Sequence, residues 1–127
     1  MKKKRILIVE DEPAVRENLR RCLELEGYDV DALSNGGEAL TYLRKQKPDL
    51  VICDLMMPEV DGFGVLTQLR TSPATKTIPF IFLTASTDVK NVISATRLRV
   101  SDYVTKPFKL AELLAIAAKR LQDSGKS

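Results

Sequence analysis

The 127-residue chain contains no histidine and only two cysteines. Without histidine, Ser-His-Asp and Cys-His catalysis, His-ligated zinc and phosphohistidine carriage are all excluded. Cys22 and Cys53 have no CxxC spacing. They build no cysteine-only metal site, and so few thiols suit a reducing compartment. No apolar run approaches the ~18–20 residues that span a bilayer. The N-terminus MKKKRILIVED starts basic, but acids follow the short apolar stretch Ile6–Val9 at once, which is no secretory signal. There is also little net charge: 20 Lys and Arg stand against 17 Asp and Glu, a balance of +3. Lys2, Lys3, Lys4 and Arg5 account for more than all of it, so the basicity is one local cluster rather than a nucleic-acid-binding face. The length expected of one domain is about 100–200 residues. Hydrophobic residues at 44% and charged residues at 29% give an ordinary globular balance. The expectation is a single cytoplasmic domain that binds neither nucleic acid nor membrane directly.

Along the chain, strand-like runs alternate with helix-like runs. The strand candidates are Ile6–Val9, Asp29–Leu33, Leu50–Cys53, Pro79–Leu83 and Asp102–Thr105. The runs ILIV, LVIC and FIFL are continuously apolar, the pattern of strands covered on both faces of a parallel sheet. Between them, Val15, Leu19, Cys22 and Leu23 repeat at helical period, with Pro13 suited to a first turn and Gly27 to an end. A second helix is expected over Gly37–Gln46 with Ala39, Leu40 and Leu43 inward, and a third over Phe63–Arg70 with Val65, Leu66 and Leu69 inward. A fourth carries Val89, Val92 and Ile93, and a fifth Leu110, Leu113, Leu114, Ala117, Ala118 and Leu121. Five such units predict a doubly wound α/β fold with a five-stranded parallel sheet and five helices.

The residues that end the strands carry the chemistry. ILIV runs into Glu10-Asp11-Glu12, LVIC into Asp54, PFIFL into Thr84, and DYVT into Lys106-Pro107. Ligands of open parallel sheets bind outside the carboxyl ends of the strands. Taken singly, these residues have bland readings. The three acids serve equally as helix-capping groups, Asp54 as a turn residue, Thr84 as a turn or capping hydroxyl, and Lys106 as a surface charge. Taken together, converging carboxylates repel one another and call for a cation. The donors are all hard oxygens without EF-hand spacing, which favours Mg²⁺ over Ca²⁺. Carboxylates, Mg²⁺, a hydroxyl and an amine form a site for a phosphoryl group, and a carboxylate can itself be the nucleophile. There is no GxxxxGK[ST] loop, and Gly62-Phe63-Gly64 lacks the third glycine and the strand context of a dinucleotide site.

Five features in order, namely Glu10-Asp11, Asp54 within VICDLMMPEVDG, Thr84-Ala85, Tyr103 and Lys106-Pro107-Phe108, make the chain resemble the receiver domains of bacterial two-component response regulators. The single-domain chemotaxis regulators are a similar type. The resemblance covers about residues 4–122 and leaves 123–127 as a tail or the start of a linker. It implies a flavodoxin-like sheet in the order 2-1-3-4-5. It implies that Asp54 accepts a phosphoryl group from the phosphohistidine of a sensor histidine kinase or a phosphotransfer protein. Mg²⁺ would be held by Glu10, Asp11, Asp54 and the backbone carbonyl of Met56. Thr84 would donate its hydroxyl to a phosphoryl oxygen, and Lys106 would pair with the phosphoryl group or with free Asp54. Pro107 would be cis, and Tyr103 would be an aromatic switch that turns inward with Thr84. The surface around the fourth helix, fifth strand and fifth helix would then control a downstream effector or a C-terminal output domain, with a phosphorylation-dependent dimer left open. Such a chain is a signalling module, not an enzyme acting on a metabolite.

The sequence departs from the family pattern at Arg99, where a glycine is common, and it places Met56 and Ser86 at the positions two beyond Asp54 and Thr84. An apolar Met56 implies slow loss of the phosphoryl group. The bland readings kept beside these are loop packing for Met56 and Met57, strand packing for Cys53, core for Phe108, and simple core for Tyr103. An aspartyl phosphatase is the rival activity. Its usual DxD acid would stand where Met56 stands, so the proton carrier is missing. A pseudo-receiver is disfavoured by the intact set of Asp54, Thr84 and Lys106.

Overall fold

The computed structural model describes residues 3–85 and 100–124. The elements in chain order are β1 (Arg5–Val9), α1 (Pro13–Leu25), β2 (Asp29–Leu33), α2 (Gly36–Lys45), β3 (Leu50–Asp54), α3 (Gly62–Thr71), β4 (Phe80–Thr84), β5 (Asp102–Thr105) and α4 (Leu110–Ser124). All five strands are parallel and lie in the order β2-β1-β3-β4-β5. The expected fourth helix with Val89, Val92 and Ile93, together with Ser86 and Arg99, falls outside the described residues, so α4 here is the C-terminal helix expected as the fifth.

Alternation along the strands builds two cores, because successive side chains of a strand point to opposite faces. Leu7, Val9, Val51, Cys53, Phe80 and Phe82 face one layer and meet Ala39 and Leu43 of α2 and Val65, Leu66 and Leu69 of α3. Ile6, Ile8, Leu50, Ile52, Ile81 and Leu83 face the other and meet Leu19 and Leu23 of α1 and Leu113, Ala117 and Leu121 of α4. Each of the large aliphatic and aromatic side chains contributes roughly 1.5–3 kcal/mol on burial. Phe82 also sits edge-on between Phe63 and Phe80, with centroids 5.2 and 4.9 Å away.

Local signals set the ends. Pro13 opens α1, and Gly27 follows its end at φ 96°, a left-handed conformation that glycine adopts without strain. Asn35 accepts the Glu38 N–H at 2.8 Å, and the Glu38 carboxylate accepts from the Ser34 N–H and hydroxyl, a reciprocal cap for α2. Asp61 caps α3 by accepting the Gly64 N–H at 3.0 Å. The strands and helices match the sequence expectation within a residue or so: β3 and β4 each extend to take in Asp54 and Thr84. Two packing expectations are corrected. Ala118 is exposed, because at helical pitch it lies one step round from the inward residue Ala117. Met56 is 61% exposed, because the chain turns outward after Leu55; Met57 alone packs as expected.

Candidate functional site

The topology reverses at β1, with β2 on one side and β3 on the other, and the helices therefore leave a crevice at the carboxyl ends of these strands. Glu10 follows β1 directly and is fully buried. Its main chain is held on both sides: the N–H donates to the Leu33 carbonyl at 3.0 Å, and the carbonyl accepts from Nη1 of Arg16 on α1 at 2.9 Å. Its Oε2 accepts the Glu12 N–H at 3.0 Å. Its Oε1 lies 2.8 Å from Lys106 Nζ as an ion pair, yet among the described residues no donor meets it in hydrogen-bond geometry.

Asp54, the last residue of β3, is 5% exposed. Its Oδ1 accepts the Met56 N–H at 3.4 Å and its Oδ2 accepts from Lys106 Nζ at 3.3 Å. Burial pushes the Asp54 carboxyl up to about 7, helped by the Glu10 charge and by a bond to Asp11, while Lys106 pulls it down. Burial works against the Lys106 charge, but Glu10 and Asp54 outweigh it and hold the ammonium firmly protonated. Lys106 follows β5, and its N–H donates to the Thr84 carbonyl at 2.7 Å, which joins the ends of β4 and β5. Thr84 is buried at the end of β4, opposite Thr105. The Lys106–Pro107 peptide bond is cis.

The structure thus brings Glu10, Asp54, Thr84 and Lys106 to one edge, with Asp11 exposed beside them. One carboxylate oxygen from each of Glu10, Asp11 and Asp54 lies within 4.8 Å of the others. An acidic trio of this spacing, with a buried Glu10 oxygen that no hydrogen-bond donor among the described residues meets, fits a hard cation such as Mg²⁺, whose remaining positions water would fill through the exposed Asp11 side. Glu12 does not act as a side-chain cap of α1. Its carboxylate instead lies 3.8 Å from Lys106 Nζ.

Tyr103 is not core: it is 50% exposed on β5, beside Phe82 in register. Phe108 is half-buried against the α1–α4 core. Cys53 is fully buried, and burial pushes its thiol well above the ordinary value, so it packs as an inert thiol rather than a redox sensor. Two residues to which sequence reasoning assigned no role at the site touch it. Arg16 grips the Glu10 carbonyl. Gly62 lies so close behind β3 that a Cβ there would fall 2.6 Å from the Asp54 carbonyl oxygen.

Residues 6–118 match the family model described as "Response regulator receiver domain". Among curated proteins, the chain is 42% identical over 115 residues to a probable transcriptional regulator ycf27 of Porphyridium aerugineum, covering 91% of this chain and 47% of that protein. It is 41% identical over 120 residues to the DNA-binding response regulator MtrA of Mycolicibacterium smegmatis, covering 94% and 51%. The chain therefore spans about half the length of these relatives. Among solved structures, the signal receiver domain of a signal transduction histidine kinase from Syntrophus aciditrophicus superposes with a TM-score of 0.87 at 38% identity, covering 94% of this chain and 91% of that one. A CheY-like receiver domain protein from Methanospirillum hungatei gives 0.91 at 26% identity, with 98% of both chains covered.

Proposed function

The chain belongs to the response regulator receiver domain family of two-component systems, and from that premise we propose that Asp54 is its phosphoacceptor. The observation that carries this reading is the single ammonium of Lys106 set between the buried carboxylates of Glu10 and Asp54, at 2.8 and 3.3 Å, with Asp11 completing an acidic trio. An Asp54 carboxylate oxygen attacks phosphorus, and the bond from phosphorus to the donor's histidine nitrogen breaks. The electron pair of that bond leaves with the imidazole, and Asp54 becomes an acyl phosphate.

Glu10, Asp11, Asp54 and the Met56 carbonyl would hold Mg²⁺, which neutralises phosphoryl charge when bound. Lys106 pairs with Asp54 before transfer and with a phosphoryl oxygen after it. Thr84 donates its hydroxyl to another phosphoryl oxygen. Because the Lys106 N–H is bonded to the Thr84 carbonyl, movement at the phosphoryl group draws on both strand ends together. Phosphorylation adds about −1.5 to −2 charge and three acceptor oxygens. That change is the local bias of a two-state element, in which the half-exposed Tyr103 turns inward as Thr84 moves. The altered face around β5 and α4 then meets a downstream effector or a C-terminal output domain of the sort the longer relatives would carry. Apart from its own phosphorylation and dephosphorylation it acts on no metabolite, and it works in the cytoplasm.

The test is phosphotransfer. A histidine phosphotransfer domain carrying labelled phosphoryl group is mixed with the chain in Mg²⁺ and in a chelator. Label should move only in Mg²⁺, should be lost in alkali as an acyl phosphate is, and should not reach Asp54→Asn. Transfer to Asp54→Asn at the wild-type level would overturn the assignment.

A further inference from the structure

Resting on the proposed cation site, we infer that Arg16 is a positioning residue for that site, acting through the Glu10–Asp11 peptide. Arg16 lies one turn into α1, where its own N–H donates to the Glu12 carbonyl. Its Nη1 reaches back 2.9 Å to the carbonyl of Glu10, a residue with no exposed surface. That carbonyl belongs to the planar peptide unit that ends at the Asp11 Cα. Fixing the oxygen therefore fixes the direction in which Asp11 leaves β1.

Asp11 needs that outside support. The Glu10 side chain is held at Oε2 by the Glu12 N–H and at Oε1 by the Lys106 charge, and its N–H by the Leu33 carbonyl. The Asp11 side chain is exposed, and among the described residues its contact is with Asp54 inside the acidic trio. The spacing of the three carboxylates thus depends on the peptide that Arg16 grips. Groups that orient metal ligands from outside typically matter 10–100-fold in metal affinity.

The sign of the effect separates positioning from charge. Arg16 is a cation near a divalent-cation site, so by Coulomb's law alone its removal would tighten Mg²⁺ binding. Loss of positioning weakens it. The experiment is calorimetric titration of the chain with Mg²⁺ alone, with thermal unfolding measured in chelator for each variant. Arg16→Met is expected to bind Mg²⁺ about 10-fold more weakly than wild type. Arg16→Gln, too short to span to the carbonyl, should lose a similar amount and carries the test if Arg16→Met does not fold. Arg16→Lys, which keeps a charged donor of nearly the same reach, should recover most of the loss. Arg20→Met, which removes a charge of the same helix from its surface pairs with Glu17 and Glu24, should leave the affinity unchanged. Unchanged or tighter binding by Arg16→Met and Arg16→Gln, with wild type binding normally, overturns the positioning role alone. No Mg²⁺ binding by wild type overturns the cation site, and the positioning role with it.

Discussion

Replacing Asp54 by Asn in the metal-free protein should stabilise it, and the gain should grow with pH. Burial and the Glu10 charge raise the Asp54 pKa from 3.8 to about 7, and at 1.36 kcal/mol per unit this opposes folding by about 4 kcal/mol above pH 7. The sign follows from proton counting. Between pH 3.8 and about 7 the folded state keeps a proton on Asp54 that the unfolded state has lost, so stability falls as pH rises through that window and levels off above it. Asn is neutral and nearly isosteric, so it removes this slope. Between pH 5 and pH 8 the wild type should lose about 2–3 kcal/mol relative to Asp54→Asn. The pairing of ionised Asp54 with Lys106 is already contained in that value, because Lys106 holds the pKa below what burial and Glu10 alone would set. Urea unfolding followed by circular dichroism, in chelator at several pH values, measures the difference directly. At roughly 3–5 °C per kcal/mol for a chain of this size, thermal scans should show it too. A gap that does not change with pH, or a variant less stable than wild type at pH 8, would show that Asp54 is not held under charge repulsion.

Other outcomes follow from the same geometry. Mg²⁺ at 100 times its dissociation constant should stabilise the wild type by about 2.7 kcal/mol, read as a rise in Tm. Asp11→Asn should lose both that rise and phosphorylation. Thr84→Ala and Lys106→Ala should keep Mg²⁺ binding in a calorimetric titration, because they contribute no oxygen to the acidic trio. They should instead lose the change in amide exchange at β5 that phosphorylation produces. Gly62→Ala should destabilise by about 1–3 kcal/mol in urea, since its Cβ would meet the Asp54 carbonyl and Phe82 at 2.6 Å and Leu55 Cα at 2.9 Å.

Much of this arrangement was legible in the sequence, and the reasons are specific. ILIV, LVIC and FIFL read as strands because both their faces are covered, and Asp29–Leu33 and Asp102–Thr105 lie where the alternation placed them. The site followed from one rule, that polar residues just past such runs collect at one sheet edge. Glu10, Asp54, Thr84 and Lys106 do meet there. What the sequence could not show is distance and burial. Nothing in ILIVEDEP says that Glu10 is sealed while Asp11 is open, because that depends on β2 and α1 closing over it. Glu12 read as a helix cap and stands instead beside Lys106. Arg16 belongs to no motif in the sequence. Its reach back to β1 is set by the angle at which α1 leaves the strand, which periodicity does not encode. Met56 and Ala118 erred in the same way: an apolar side chain beside core positions does not reveal which way the backbone has turned.

The most direct test of Asp54 as the phosphoacceptor is chemical mapping of the modified residue. The chain is incubated with Mg²⁺ and a small-molecule phosphodonor, checked by intact mass, then treated with borohydride, which reduces an acyl phosphate to an alcohol. Peptide mapping should find one labile phosphoryl group per chain and homoserine at position 54 alone, with none formed in chelator. Homoserine elsewhere, or equal phosphoryl incorporation by Asp54→Ala, would contradict the assignment of Asp54.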